Sequence, residues 1–346
     1  MDGDIDVYDV IIIGAGIAGL SAALYAARQG LKTLVISKDI GGGQLSLTDE
    51  VQNYPGFISI KGGLDLVRRV ESQARTFGAE IVFDEVIKLD KVNGGGDFVV
   101  RTASGDEYRS IAVILAFGKT PRDLGVSGEQ ELKGKGVSYC TICDAALYRG
   151  QDVALVSWGE PAYEAAEILM NVVNRFYWVF PGDKPVNDDE FMNLVLNSGK
   201  AVLMPRHDVV EIKGKGRVES VVVKDRVTGG RTLEIPVKAV FIEIGYVAKT
   251  DFVRNLVKLN EKGEIVIDEY GRTGTEGLFA GGGDVCISPY KQAVIAAAQG
   301  GVIAALSAYS YVMARKGKEV KLASDWRKLN IPGEKRESRT SLKISF

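Results

Sequence analysis

The stretch Val7-Tyr-Asp-Val-Ile-Ile-Ile-Gly14-Ala15-Gly16-Ile17-Ala18-Gly19 decides the fold. Its first seven residues are rich in β-branched side chains, the composition of a central parallel strand. An Ala-rich helix follows to about Gly30, and Leu31–Ser37 reads as the next strand. Glycines spaced GxGxxG between a strand and a helix form a dinucleotide-binding fingerprint. Gly14 permits the tight turn, Gly16 lets a pyrophosphate reach the backbone, and Gly19 lets helix pack on strand.

The same pattern recurs downstream. Val153-Ala-Leu-Val-Ser157-Trp158-Gly159-Glu-Pro161-Ala162 lies over Val10 to Gly19, followed by a helix, Ala162 to about Val173, and a strand, Phe176–Phe180. This second copy is degraded. Ser157 replaces Gly14, Trp158 replaces Ala15 and Ala162 replaces Gly19, while Gly159 alone keeps the point of closest phosphate approach. Accessory segments Phe98–Thr102 and Arg217–Lys224 read as antiparallel strands. They precede the strands Ile111–Ala116 and Val237–Ile242, which run into Gly118 and Gly245. The last signature, Gly277-Leu-Phe-Ala-Gly-Gly-Gly283-Asp284, is assigned to the first domain, because the second already has a closing strand. The expected fold is α/β, with two Rossmann-like three-layer domains, the second, nucleotide-binding-type domain inserted in a discontinuous first domain. The expected boundaries are 1–123 with 249–320 for the first domain, 124–248 for the second, and 321–346 for a basic tail.

Composition narrows the function. The 346 residues are 46% hydrophobic and 25% charged, which excludes a disordered chain, a fibre and a disulfide-stapled mini-protein. A net charge of −2 supplies no global basic field for nucleic acid or membrane. The single His207 leaves no His-rich metal site, and three cysteines imply no secreted framework. No basic signal-like leader opens the sequence, and the Ala-rich stretch Ala293–Val312 reads as a buried helix rather than a span. A soluble cytoplasmic protein is expected. Residues Arg315–Phe346 carry a net +6, leaving −8 on the remainder. This tail reads as a solvated or dimer-wrapping segment, or as a patch for an acidic partner.

Cys140-Thr-Ile-Cys143-Asp144 stands just before the second strand–turn–helix unit. Cysteines at i and i+3 can close a small, reducible disulfide, and no four-cysteine zinc site is available. With a flavin-type fold, the pair reads as a redox couple.

These residues resemble the low-molecular-weight thioredoxin reductases. The resemblance covers about residues 7–312. It rests on the first fingerprint, Gly42-Gly43-Gln44-Leu45, Asn53-Tyr54-Pro55-Gly56-Phe57, the CxxCD, and Gly283-Asp284 followed by Lys291-Gln292-Ala293. It implies a homodimeric FAD enzyme that reduces thioredoxin or a glutaredoxin-like protein. It further implies Cys143 beside the flavin, Cys140 attacking the external disulfide, and Asp144 protonating the leaving thiolate. The FAD-binding set it implies is Gly14, Ala15, Gly16, Ile17, Ala18, Gly19, Ser37, Lys38, Gly42, Gly43, Gln44, Leu45, Asn53, Val86, Ala116, Phe117, Gly118, Gly283, Asp284, Val285, Lys291, Gln292 and Ala293. Asp284 is expected on the ribityl chain, and Lys291–Ala293 at the pyrimidine edge.

The departures from the family pattern point to an unusual electron donor. Ser37 stands where an acid often holds ribose, Phe117 replaces a threonine, the glycine run before Asp284 is one residue longer, and Lys291 replaces arginine. NADPH-dependent members carry His-Arg-Arg after the second strand of the inserted domain, whereas this chain has Trp178-Val-Phe-Pro-Gly-Asp183-Lys184. The expectation is therefore a donor other than NADPH: ferredoxin, a reduced deazaflavin, or NADH. A flavin-bearing thiol redox sensor is the alternative from another class. Cys286 reads as buried filler and His207 as a structural or surface residue.

Overall fold

The computed structural model describes residues 7–38, 42–47, 50–92, 97–282 and 292–322. The chain divides into two units, Met1–Lys119 with Ala248–Phe346, and Thr120–Val247.

The first unit begins with β1 (Val7–Ile13), α1 (Ile17–Arg28), β2 (Thr33–Ser37), α2 (Gly63–Thr76), β3 (Glu80–Phe83), β4 (Val86–Lys91), β5 (Phe98–Thr102) and β6 (Glu107–Leu115). The sheet order is β3-β2-β1-β6-β5-β4, with β1 parallel to both its neighbours. The central place of β1 explains its composition: side chains alternate between two faces, and both are covered. Val10 and Ile12 pack with α1 and α2, while Ile11 and Ile13 pack with Leu34, Val113 and Ile265. Each of these four is at most 4% exposed.

The second unit contains β7 (Val137–Ser138), α3 (Thr141–Asp144), β8 (Asp152–Ser157), α4 (Pro161–Val172), β9 (Arg175–Phe180), α5 (Asp189–Asn197), β10 (Ala201–Pro205), β11 (His207–Lys213), β12 (Ser220–Asp225), β13 (Thr232–Pro236) and β14 (Val240–Glu243). A parallel sheet in the order β7-β14-β8-β9-β10 carries the second strand–turn–helix, and β11-β12-β13 form an antiparallel sheet. Pro161 occupies the first turn of α4, where a missing N–H costs no hydrogen bond.

The chain then returns to the first sheet. β15 (Leu278–Ala280) pairs in parallel with β6, placing Leu278 opposite Val113. The helix α6 (Ala293–Arg315) is long and apolar enough to cross a membrane by composition. Its small residues have a packing purpose within this unit. A Cβ at Gly300 would fall 2.2 Å from Gly282 N, and one at Gly301 would fall 2.2 Å from Ser21 Cβ. Ala304, Ala305, Ala308 and Val312 are buried with α1 in the first core. One face of this helix packs in the core of the unit, with 39% of its apolar 18-residue stretch buried. Gly283, Asp284, Val285, Cys286, Lys291 and residues 323–346 lie outside the described residues.

Candidate functional site

The first cradle forms where β1 ends. Gly14 has φ +109, and a Cβ there would lie 2.3 Å from Ala116 O, so only glycine fits. A Cβ at Gly19 would meet Gly14 O at 1.9 Å, which lets α1 start directly against the strand turn. At Gly16, by contrast, nothing lies within 4 Å of the Cβ position. Gly16 is the N-cap of α1 without a side-chain cap, so the helix's first amides face open space.

The other expected residues fall around this turn or farther along the unit. Ala15, Ile17 and Ala18 line its buried side. Gly42 donates its N–H to Ala15 O at 3.0 Å, and Gly43 begins a short helical turn that includes Gln44 and Leu45. Ser37 ends β2, and the adjacent Lys38 pairs with Glu85 at 2.8 Å. Ala116, Phe117 and Gly118 follow β6, with the Phe117 ring 5.1 Å from Phe252. Asn53 lies in an exposed turn, Val86 opens β4, Gln292 caps α6 and Ala293 begins it. The glycine-lined opening at Gly16, with the α1 amides behind it, fits the pyrophosphate of FAD.

The redox pair sits in the second unit. Cys140 and Cys143 are disulfide-bonded, with Cα atoms 5.3 Å apart. Cys140 precedes α3, and its Sγ accepts the Cys143 N–H at 3.2 Å. Cys143 is exposed and Cys140 half-buried. Asp144 accepts a hydrogen bond from Ser138 Oγ at 2.7 Å, and Ser138 Oγ also accepts the Cys140 N–H at 3.1 Å. One hydroxyl thus connects the candidate proton donor to the backbone of the candidate attacking cysteine.

Two glutamates unnoticed in the sequence support this turn. Glu129 is fully buried and accepts hydrogen bonds from Leu124 N, Gly125 N, Val126 N and Tyr139 Oη. Burial and the Glu129 hydrogen bond push the Tyr139 phenol well above its ordinary value. Tyr139 therefore stays protonated and donates, anchoring the residue next to Cys140. Glu243 ends β14, and its Oε1 accepts the Thr141 N–H, between the two cysteines, at 2.8 Å. Burial raises the Glu243 carboxyl above its ordinary 4.5, with the Thr141 hydrogen bonds opposing and the Glu164 charge adding.

The second crevice differs from the first. Ser157 remains in the sheet opposite Glu243 and donates its Oγ to Glu243 O at 2.7 Å. The buried Trp178 donates its indole N–H to Ser157 O at 2.9 Å. Gly159 keeps φ +72, and the Trp158 beside it is 39% exposed. The sequence reading of the β9 end needs a correction. Arg206 N donates to Gly182 O and Arg226 Nη1 to Pro181 O, so two arginines do reach that end, from the β10–β11 turn and from beyond β12. Both are exposed and lie beside carboxylates: Arg206 pairs with Asp183 at 3.3 Å and Arg226 with Asp208 at 3.0 Å. His207 opens β11 with its Nδ1 2.7 Å from Pro205 O.

A glycine cradle on one parallel sheet and a disulfide beside a second such sheet define a dinucleotide-fold disulfide oxidoreductase. Comparison with known proteins agrees. Residues 8–300 match the family pyridine nucleotide-disulphide oxidoreductase, to which the chain belongs. A thioredoxin reductase from Peptoclostridium acidaminophilum is 39% identical over 316 residues, covering 89% of this chain and 98% of the relative. The thioredoxin reductase of Lactococcus lactis in its FR conformation superposes with a TM-score of 0.71 at 32% identity, covering 89% of this chain and 99% of that one. A ferredoxin-flavin thioredoxin reductase from Clostridium acetobutylicum superposes with a TM-score of 0.50 at 29% identity, covering 90% and 100%. The chain is an oxidoreductase of thioredoxin-reductase type and an FAD flavoprotein.

Proposed function

We propose that this enzyme reduces a disulfide of thioredoxin or a glutaredoxin-like protein, and that NADPH is not its electron donor. The observation that carries the donor reading is the second crevice, where Gly159 keeps an open position but Ser157, the exposed Trp158 and the carboxylate of Glu243 stand at the same strand ends in place of small uncharged residues. A 2′-phosphate needs fixed cationic donors, and the arginines at the β9 end are exposed and sit beside the carboxylates of Asp183 and Asp208, which oppose a phosphate. Ferredoxin and a reduced deazaflavin need no 2′-phosphate site, and a solved relative is named a ferredoxin-flavin thioredoxin reductase. The net +6 of Arg315–Phe346 favours an acidic protein donor. NADH is the second reading, favoured by Asp183 just beyond β9, where a ribose-binding acid is useful.

FAD, when bound in the first cradle, supplies a two-electron store. Cys143 receives the electron pair that breaks the Cys140–Cys143 bond. The Cys140 thiolate then attacks the partner's disulfide, forming a mixed disulfide and releasing one partner thiolate. Asp144, held by Ser138, gives that thiolate its proton. Cys143 closes back on Cys140, releasing the second partner thiol and restoring the disulfide. The enzyme works as a homodimer in the cytoplasm in this reading.

The test is thioredoxin turnover and flavin absorbance in Cys140→Ser and Cys143→Ser. A long-wavelength thiolate-to-flavin band in Cys140→Ser, absent from Cys143→Ser, is expected, with turnover lost in both. The opposite pattern swaps the two roles. Undiminished turnover in either variant refutes the dithiol route.

A further inference from the structure

The register of the two sheets identifies the residue that most distinguishes the second crevice. Ile13 lies opposite Leu115 in the first sheet, and Val156 opposite Ile242 in the second. One residue later, the first unit has Ala116 and the second has Glu243. Ala116 is 5% exposed, and the open Gly16 cradle lies beyond it. Glu243 instead puts a carboxylate at the carboxyl end of the strands β14 and β8. From β8 the chain continues to β9 on one side, while β14 lies on the other. Such a switch point is where open α/β sheets bind their ligands.

Among the described residues, the elements packed against this carboxylate, α4, α3, β8 and β7, carry no lysine or arginine. α4 carries Glu164 and Glu167, with Glu160 as its N-cap, α3 carries Asp144, and β8 carries Asp152. β7 is Val137–Ser138, and the helical turn after α3 contributes the neutral Tyr148. Glu160 and Glu164 also lie at the start of α4, where its amide dipoles would otherwise attract a phosphate. The polar group offered to Glu243 is the Thr141 amide of the redox turn.

Building on the donor reading above, we propose that Glu243 is a specificity-determining residue: its carboxylate, held in the crevice by the Thr141 amide, excludes the pyrophosphate of a pyridine dinucleotide from the second unit. The exclusion is electrostatic, so it weakens as the carboxyl protonates. Burial raises this carboxyl above the ordinary carboxylate range. A dinucleotide with a permanently charged pyrophosphate therefore binds better in acid, whereas a site lined only by lysine or arginine, which stay charged, shows little change over the same range.

The experiment titrates FAD-loaded wild type, Glu243→Ala and Glu243→Gln with ADP-ribose by calorimetry, near pH 8 and near pH 5.5, roughly one decade above neutral and one and a half below it. ADP-ribose carries the pyrophosphate without a redox group or a 2′-phosphate. Glu243→Ala is expected to bind about tenfold tighter than wild type at the higher pH, with Glu243→Gln also tighter than wild type. Wild type is expected to tighten at the lower pH and narrow the gap. Equal binding, or equal absence of binding, by all three proteins at the higher pH overturns the proposal. Glu243→Gln keeps an acceptor for the Thr141 amide, so it decides the matter if the alanine variant fails to fold. Rapid flavin reduction of wild type by NADPH would refute the donor reading itself. A wild type that refuses NADPH, with variants that bind ADP-ribose no better, would refute only the role of Glu243.

Discussion

The two units share a strand–turn–helix frame and differ at the turn. In the first, Gly14 brings the backbone so close to Ala116 that no side chain fits, and the Gly16 position opens on free helix amides. In the second, Ser157 fills the corresponding gap with a hydroxyl bonded to Glu243 O, and Trp178 secures Ser157 from below. The fold needs only that this gap be closed and its polar atoms satisfied. A ligand needs more: the position two residues on, Gly16 in the first unit, must open on the helix amides. In the function proposed above, the second unit meets the first requirement without serving a dinucleotide.

The largest expected effect comes from closing the first gap. Gly14→Ala places a Cβ 2.3 Å from Ala116 O at φ +109, so the turn must move. We expect a loss of about 3 kcal/mol or more, together with loss of bound FAD. Thermal melts and flavin content check this. The reverse change, Ser157→Gly, loses one hydrogen bond and costs about 1 kcal/mol. A Gly14→Ala protein with full flavin content would break the comparison.

Glu129 comes next. Its carboxylate serves three backbone amides and the Tyr139 hydroxyl from a fully buried position. Glu129→Gln leaves an amide group facing donors, with an expected cost of about 2–4 kcal/mol by denaturant unfolding. A smaller loss of disulfide-reducing activity in the surviving folded fraction would separate support of the turn from catalysis.

The frame was legible in the sequence because β-branched runs and glycine spacing are local signals. Even the return of Leu278–Ala280 to the first sheet followed from counting closing strands. The supporting residues were not legible. Glu243 meets Thr141 across 102 residues, and Arg226 meets Pro181 across 45. Periodicity tells which face a side chain takes, but not which distant residue stands opposite. Glu129 reads as an ordinary acid in a polar loop until the loop closes over it. The expected flavin contacts at Asp284 and Lys291 fall outside the described residues.

A smaller effect follows from Glu243. Its folded-state pKa is raised above the ordinary 4.5 by burial. The folded protein therefore holds the proton more tightly than the unfolded chain. Stability from this group is present below that value and is lost as pH rises through the folded pKa. Glu243→Gln should melt higher than wild type at neutral pH, and the two curves should converge in acid. Smallest of all is Arg206→Ala, which removes an exposed pair with Asp183 and should change stability by no more than about 0.5 kcal/mol.

The central claim is that the first unit kept its dinucleotide site and the second lost its own. Anaerobic stopped-flow absorbance of the bound FAD, mixed separately with NADPH, NADH and reduced ferredoxin, tests it most directly. The account predicts negligible bleaching by NADPH over many seconds, and bleaching by reduced ferredoxin fast enough to sustain thioredoxin turnover. Complete bleaching by NADPH within about a second, the timescale of an ordinary turnover, would contradict it.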